Sequence, residues 1–149
     1  MIENRDETVE RLLGMPYWVI DVLPCQVPPD SAGQFFAVEQ YYLSEPYAGT
    51  MRRRFGEVLL GLNCYYSLHV DCGNGWVTDP EPEALVQRLT AAMHNGHLCA
   101  LIEGEDALMT ASGGNINITL YNPSPALLHL VQQLATAAGL FVWQPQEHR

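Results

Sequence analysis

Two spacings of apolar residues alternate along this chain, and together they lay out its elements. Met51, Phe55, Val58, Leu59 and Leu62 recur at i, i+4, i+7, i+8 and i+11, which lines one face of a helix beginning at Thr50 and ending near Asn63. Val9, Leu12 and Leu13 give a shorter helix over 7–13, stopped by Gly14 and Pro16. Leu85, Val86, Leu89, Ala92 and Met93 form another stripe, opened by Asp79-Pro80 as cap and first-turn proline and closed by Gly96. Ser124-Pro125 repeats that opening before Leu127, Leu128, Val131, Leu134 and Ala135, and Gly139 ends the helix. Residues 31–43 read as one more helix capped by Asp30 or Ser31, with an extended alternative at 35–38.

Strands come from the shorter period. The continuous apolar run 17–23, rich in β-branched and aromatic residues, fits a buried strand. Residues 66–72 alternate, with Leu68, Val70 and Cys72 on one face and Ser67, His69 and Asp71 on the other. Gly73-Asn74-Gly75 then turns the chain, and Trp76-Val77 can resume a strand. A meander of three strands spans 97–121, joined by hairpin turns at Gly104-Glu105 and Gly113-Gly114-Asn115. Its Ile116, Ile118 and Leu120 point inward, which leaves the sheet one wet face. A last strand covers 140–143, and a polar tail follows from about 144. The expectation is a single α+β domain over 1–149. Its sheet is mainly antiparallel, the 97–121 meander plus strands near 17–23, 66–72 and 140–143, packed by about five helices on one face.

Length agrees with one domain, since 149 residues bury a real core without staples. The proline-rich stretch 23–30 is too short to be a linker and reads as a loop. Charged residues are only 16% against 48% apolar, a balance that favours some apolar surface being covered by a second subunit. The formal charge of −10 repels phosphate backbones and anionic membrane surfaces, so neither nucleic acid nor membrane is an expected partner. No secretory-type apolar leader and no membrane-length apolar run is present. The four cysteines include no CxxC pair and read as reduced core thiols. These features point to a cytoplasmic protein. Size and charge, with no motif behind them, resemble those of small acidic bacterial immunity and secretion-chaperone proteins.

Candidate chemistry is sparse. The seven basic residues are all arginines, which excludes Schiff-base, pyridoxal-phosphate and phosphate-loop lysine chemistry, and no cofactor is expected. Arg52, Arg53 and Arg54 stand together; in the first turn of a helix capped by Thr50 they would oppose the macrodipole and suit an anion. Pairing with surface acids is the commoner explanation of such a run. His69 and Asp71 leave one strand face about 6–7 Å apart, a start for a general base or two metal ligands, but no third partner is identifiable. His94 and His97 lack the spacing of a helical zinc motif, so no metal site is expected. Asp21 sits in an apolar strand, where an unpaired carboxylate has its pKa raised; it reads as a functional acid, as a partner of Arg11 or Arg88, or as a strand-end residue with solvent access. Solvent access is the plainest of the three. Phe35, Phe36, Tyr41 and Tyr42 open a dense aromatic segment of the kind found at interfaces.

Two functions follow from these residues. The first is a non-catalytic acidic interaction or adaptor domain, whose partner is another protein or a second copy in a homodimer. The second is a small enzyme or binder of an anionic small molecule. There Arg52–Arg54 would hold the acid and His69 with Asp71 would move a proton.

Overall fold

The computed structural model describes residues 3–145, side chains at 31 and 32 excepted. In chain order the elements are α1 (Arg5–Leu12), β1 (Tyr17–Asp21), a 3-10 turn (Pro29–Ser31), α2 (Ala32–Leu43) and α3 (Tyr47–Asn63). Then come β2 (Leu68–Asp71), β3 (Trp76–Thr78), α4 (Pro82–Asn95), β4 (His97–Ile102) and β5 (Leu108–Ser112). β6 (Asn117–Tyr121), α5 (Pro125–Ala137) and β7 (Phe141–Trp143) complete the order. The strands form one antiparallel sheet in the order β3-β2-β4-β5-β6-β1-β7. This is the α+β arrangement that the two periodicities predict. Of the expected polar tail, 146–149 lie outside the described residues.

The meander β4-β5-β6 is the centre of the sheet, and β1 inserts between β6 and β7 with Asp21 opposite both Asn117 and Phe141. One sheet face packs Ile20, Leu68, Val70, Leu98, Ala100, Ile102, Met109, Ile118 and Leu120 against Phe55, Leu59, Leu62, Leu85, Leu89, Leu127 and Val131. Each of the larger of these side chains, Ala100 excepted, contributes about 1.5–3 kcal/mol. Helix α3 lies between α4 and α5 because two glycines let it come close. A Cβ on Gly56 would meet Val86 at 3.6 Å, and one on Gly61 would stand 2.6 Å from a Leu134 methyl.

The face expected to be wet is partly covered. Leu12 of α1 packs on Leu101 and Leu108, with Val9, Met15, Trp76, Cys99 and Tyr121 around them. Polar contacts fasten the helix there. Arg11 reaches Asp106 at 2.6 Å and Glu3 at 3.1 Å, and the Trp76 indole donates to Asp6 at 3.1 Å. Helices therefore occupy both faces, because β4 is apolar on both of its own.

Three helix starts differ from the sequence reading. Helix α1 begins at Arg5, capped by Asn4, rather than at residue 7. Helix α3 begins at Tyr47, with Pro46 before it rather than Thr50. Helix α4 begins at Pro82 after Glu81, without a side-chain cap. Asp79 turns back instead. Its backbone is left-handed (φ 47°), and its carboxylate accepts from the Leu68 amide, Asn63 and Ser67. The expected cap is thus a clamp between the end of α3 and the start of β2. Among the described residues no helix is long and apolar enough to cross a membrane.

Candidate functional site: an aromatic helix face beside buried carboxylates

The earlier start of α3 moves all three arginines out of its first turn, beyond the free N–H groups that would hold an anion. They also diverge. Arg52 is buried, with Nη1 3.8 Å from Glu45 and Nε without a hydrogen-bond partner. Arg53 is exposed. Arg54 lies against Gly139 and lines a cavity of about 250 Å³ with Val22, Tyr42, Tyr47, Thr50 and Met51. The trio is not one anion-binding cluster.

His69 and Asp71 are not assembled for proton transfer. His69 Nδ1 lies 2.8 Å from the Thr78 hydroxyl and 3.2 Å from an Arg5 guanidinium nitrogen, while Nε2 faces Glu103 at 3.6 Å. These contacts help dock α1. Asp71 accepts from the Gly73 and Gly75 amides and closes the turn after β2. Both residues point away from α3, on the sheet face opposite Leu68 and Val70, so neither meets the arginines. The anion-holding enzyme built from these five residues has no common site.

Histidines 94 and 97 gather no further ligands: among the described residues there is no group of three or more His, Cys, Asp or Glu arranged for a metal. The cysteines are less buried than expected. Cys25 and Cys64 are exposed and Cys72 and Cys99 are half-buried, with both of the latter thiols pushed up in pKa by burial.

The segment expected to be an interface behaves unusually. Helix α2, AGQFFAVEQYYL, is apolar on most sides and carries one charge, Glu39. A surface helix ordinarily turns its charge outward and its rings inward. Here Glu39 is buried, at 8% exposure, while Phe36 and Tyr41 are 60% and 55% exposed. Phe35 and Tyr42 take the inner side and pack partly on the core. Tyr47, at the start of α3, stacks on Tyr41 with centroids 4.5 Å apart and extends the outer aromatic face.

Beside α2 lies a second anomaly. Asp21 ends β1 on the sheet face away from α3, and it is not solvated as expected but only 4% exposed. Neither Arg11 nor Arg88 reaches it: Arg11 pairs with Glu3 and Asp106, and Arg88 lies beside Cys72. The Trp143 indole donates to Oδ2 at 3.3 Å, and Oδ1 has no hydrogen-bond partner. Burial raises the Asp21 pKa; the amides of Leu23 and Val22 and the indole oppose the rise, and the nearby Glu39 adds to it. Glu39 is itself raised by burial. Asp21 lines a cavity of about 260 Å³ with Gln26, Val27, Pro28, Pro29, Phe35, Asn117 and Trp143. A neighbouring hollow of about 310 Å³ shares the 26–29 segment and Trp143.

No protein-family model matches this chain, and no curated protein or solved structure matches it either. The geometry itself defines the candidate site: an outward aromatic helix face, with a carboxylate-floored cavity at its edge. The sequence reading found the rings and Asp21 but missed Glu39. Its one available signal was a lone charge within an otherwise uncharged helix.

Proposed function

We propose that this protein is a non-catalytic interaction domain that docks a distinct, less acidic protein partner on the outer face of α2. The observation that carries this reading is the inversion of α2, with Glu39 inside and Phe36 and Tyr41 outside. Exposed rings cost nothing once a partner covers them. Phe36, Tyr41 and Tyr47 together leave roughly 300 Å² of ring surface open, counting roughly 200 Å² per aromatic side chain. That is less than half of the roughly 800 Å² each partner contributes to a standard interface, so these rings form its anchoring centre rather than its whole. Arg54 on one side and the Asp21 cavity on the other supply a polar rim of both signs. The charge of −10 disfavours a second copy and steers toward a basic surface.

The test places a photo-crosslinking residue at Phe36 and, as control, at the exposed Gln132 of α5 in the full chain inside cells. A protein captured at 36 and not at 132 is then purified and its binding measured by calorimetry. The Phe36→Ser/Tyr41→Ser double variant should bind about thirtyfold or more weakly, the loss of one strong anchor, while keeping its melting temperature. Undiminished binding by that variant overturns the reading, and so does capture at 36 of nothing but a second copy.

A further inference from the structure

We propose that the hollow beside Asp21 receives a single organic cation, an alkylammonium or guanidinium group. Resting on the interaction reading above, its source is a lysine or arginine side chain of the partner. Two carboxylates, Asp21 and Glu39, are buried near one another, and among the described residues neither forms an ion pair within 4 Å. A buried charge is ordinarily paired, because desolvation without a counter-charge is expensive. The chain has few cations to offer and sends them elsewhere: Arg11 to Asp106, Arg52 to Glu45, Arg54 to the cavity at Tyr42 and Tyr47. Among the described residues no arginine of the chain is placed within ion-pair distance of either carboxylate, which leaves room for an external cation.

The cavity is shaped for it. The Trp143 indole holds Oδ2, Oδ1 is buried without a hydrogen-bond partner, and Asp21 forms part of the wall of the hollow. Trp143 and Phe35 are wall residues as well, and aromatic rings attract a desolvated cation through their faces. Pro28 and Pro29 complete an apolar sleeve for the methylene stem of a long basic side chain. At about 260 Å³ the space falls below the roughly 300–1,000 Å³ of drug-sized ligand sites, which suits one side chain and not a nucleotide or cofactor. Phe35 also joins the hollow to the docking face, since its ring stands 6.1 Å from that of Phe36.

The experiment is an NMR titration of the intact protein, reading the three indole N–H signals. Probes are butylammonium, butylguanidinium, neutral butyramide, and blocked tripeptides centred on lysine, arginine or norleucine. The expected result is a saturable shift of the Trp143 signal with cationic probes only, while those of Trp18 and Trp76 stay still. Asp21→Asn should weaken binding about ten- to a hundredfold, and Glu39→Gln by less. The unmoved Trp18 and Trp76 signals report that both variants remain folded. Tighter binding of the basic tripeptides than of the free cations assigns the ligand to a partner side chain; the reverse order overturns that source and leaves a free amine. An equal response to butyramide, an unchanged affinity in Asp21→Asn, or no saturation overturns the cation site. Because no partner is present, these results are independent of the Phe36 and Tyr41 test. The Phe36→Ser/Tyr41→Ser variant should still bind butylammonium.

Discussion

Replacing Asp21 by asparagine should make this protein more stable at neutral pH. The substitution keeps the shape and an oxygen for the Trp143 indole, but removes a charge that is 4% exposed, unpaired, and close to a second buried carboxylate. The folded-state pKa of Asp21 is raised, chiefly by burial, so the native state holds this proton more tightly than the unfolded chain does. The stability it contributes is complete below its ordinary value of 3.8 and is lost as pH rises through the folded value. At pH 7 the wild-type chain therefore carries a burial penalty, only partly offset by the Leu23 and Val22 amides and the indole, that the asparagine variant lacks. An unsatisfied buried polar group costs about 1–3 kcal/mol. At about 2–4 °C per kcal/mol for a domain near this size, the variant should melt about 2–12 °C higher. Thermal unfolding followed by circular dichroism from pH 3 to pH 8 measures the gap, which should widen from near zero in acid to its full value at neutrality. Glu39→Gln and the double variant belong in the same series, because Glu39 shifts with the same sign through its own burial and adds a small part of the rise at Asp21. A variant that is less stable than wild type at pH 7, by an amount that does not change with pH, would refute the reasoning. It would mean that Asp21 is held ionised by a favourable contact.

Asp79 should show the opposite slope: hydrogen bonds from the Leu68 amide, then Asn63 and Ser67, lower its pKa, so its stabilisation is present above 3.8 and fades as pH falls through the folded value. Asp79→Asn should accordingly lower the melting temperature at pH 7 and approach wild type in acid, readable in the same scans. Gly113→Ala would place a Cβ 2.8 Å from the Asn95 Cα, where backbone must move, and should cost about 1–3 kcal/mol in urea unfolding. Ser124→Ala removes the hydroxyl that accepts from the Leu127 amide at the start of α5, a loss of about 1 kcal/mol in the same assay.

Much of this fold was legible in the chain. The stripes of α3, α4 and α5 and the alternation in β2 and β6 follow from local periodicity, because one face of each element is buried against the same core. The Ser124-Pro125 opening works as read, since capping is a contact between near neighbours. Starts that depend on distant partners were misplaced. Asp79 looks like a cap until Asn63, Ser67 and Leu68 compete for its carboxylate. The second sheet face looked wet until α1 was laid across Leu101 and Leu108, although the unbroken apolar run in β4 hinted at two covered sides.

The candidate site divides along the same line. Sequence alone determined its materials: the aromatic density of 35–47, a carboxylate inside an apolar strand, and too few cations to neutralise the acids. Tertiary structure alone decided their arrangement. Packing α2 against α3 turned Glu39 in and Phe36 and Tyr41 out, spread the three arginines around a helix, and left Asp21 beneath a loop with no counter-charge among the described residues. Periodicity reports which face of an element is apolar. Which buried charges meet, and which stay unpaired, is set by elements far apart in the chain.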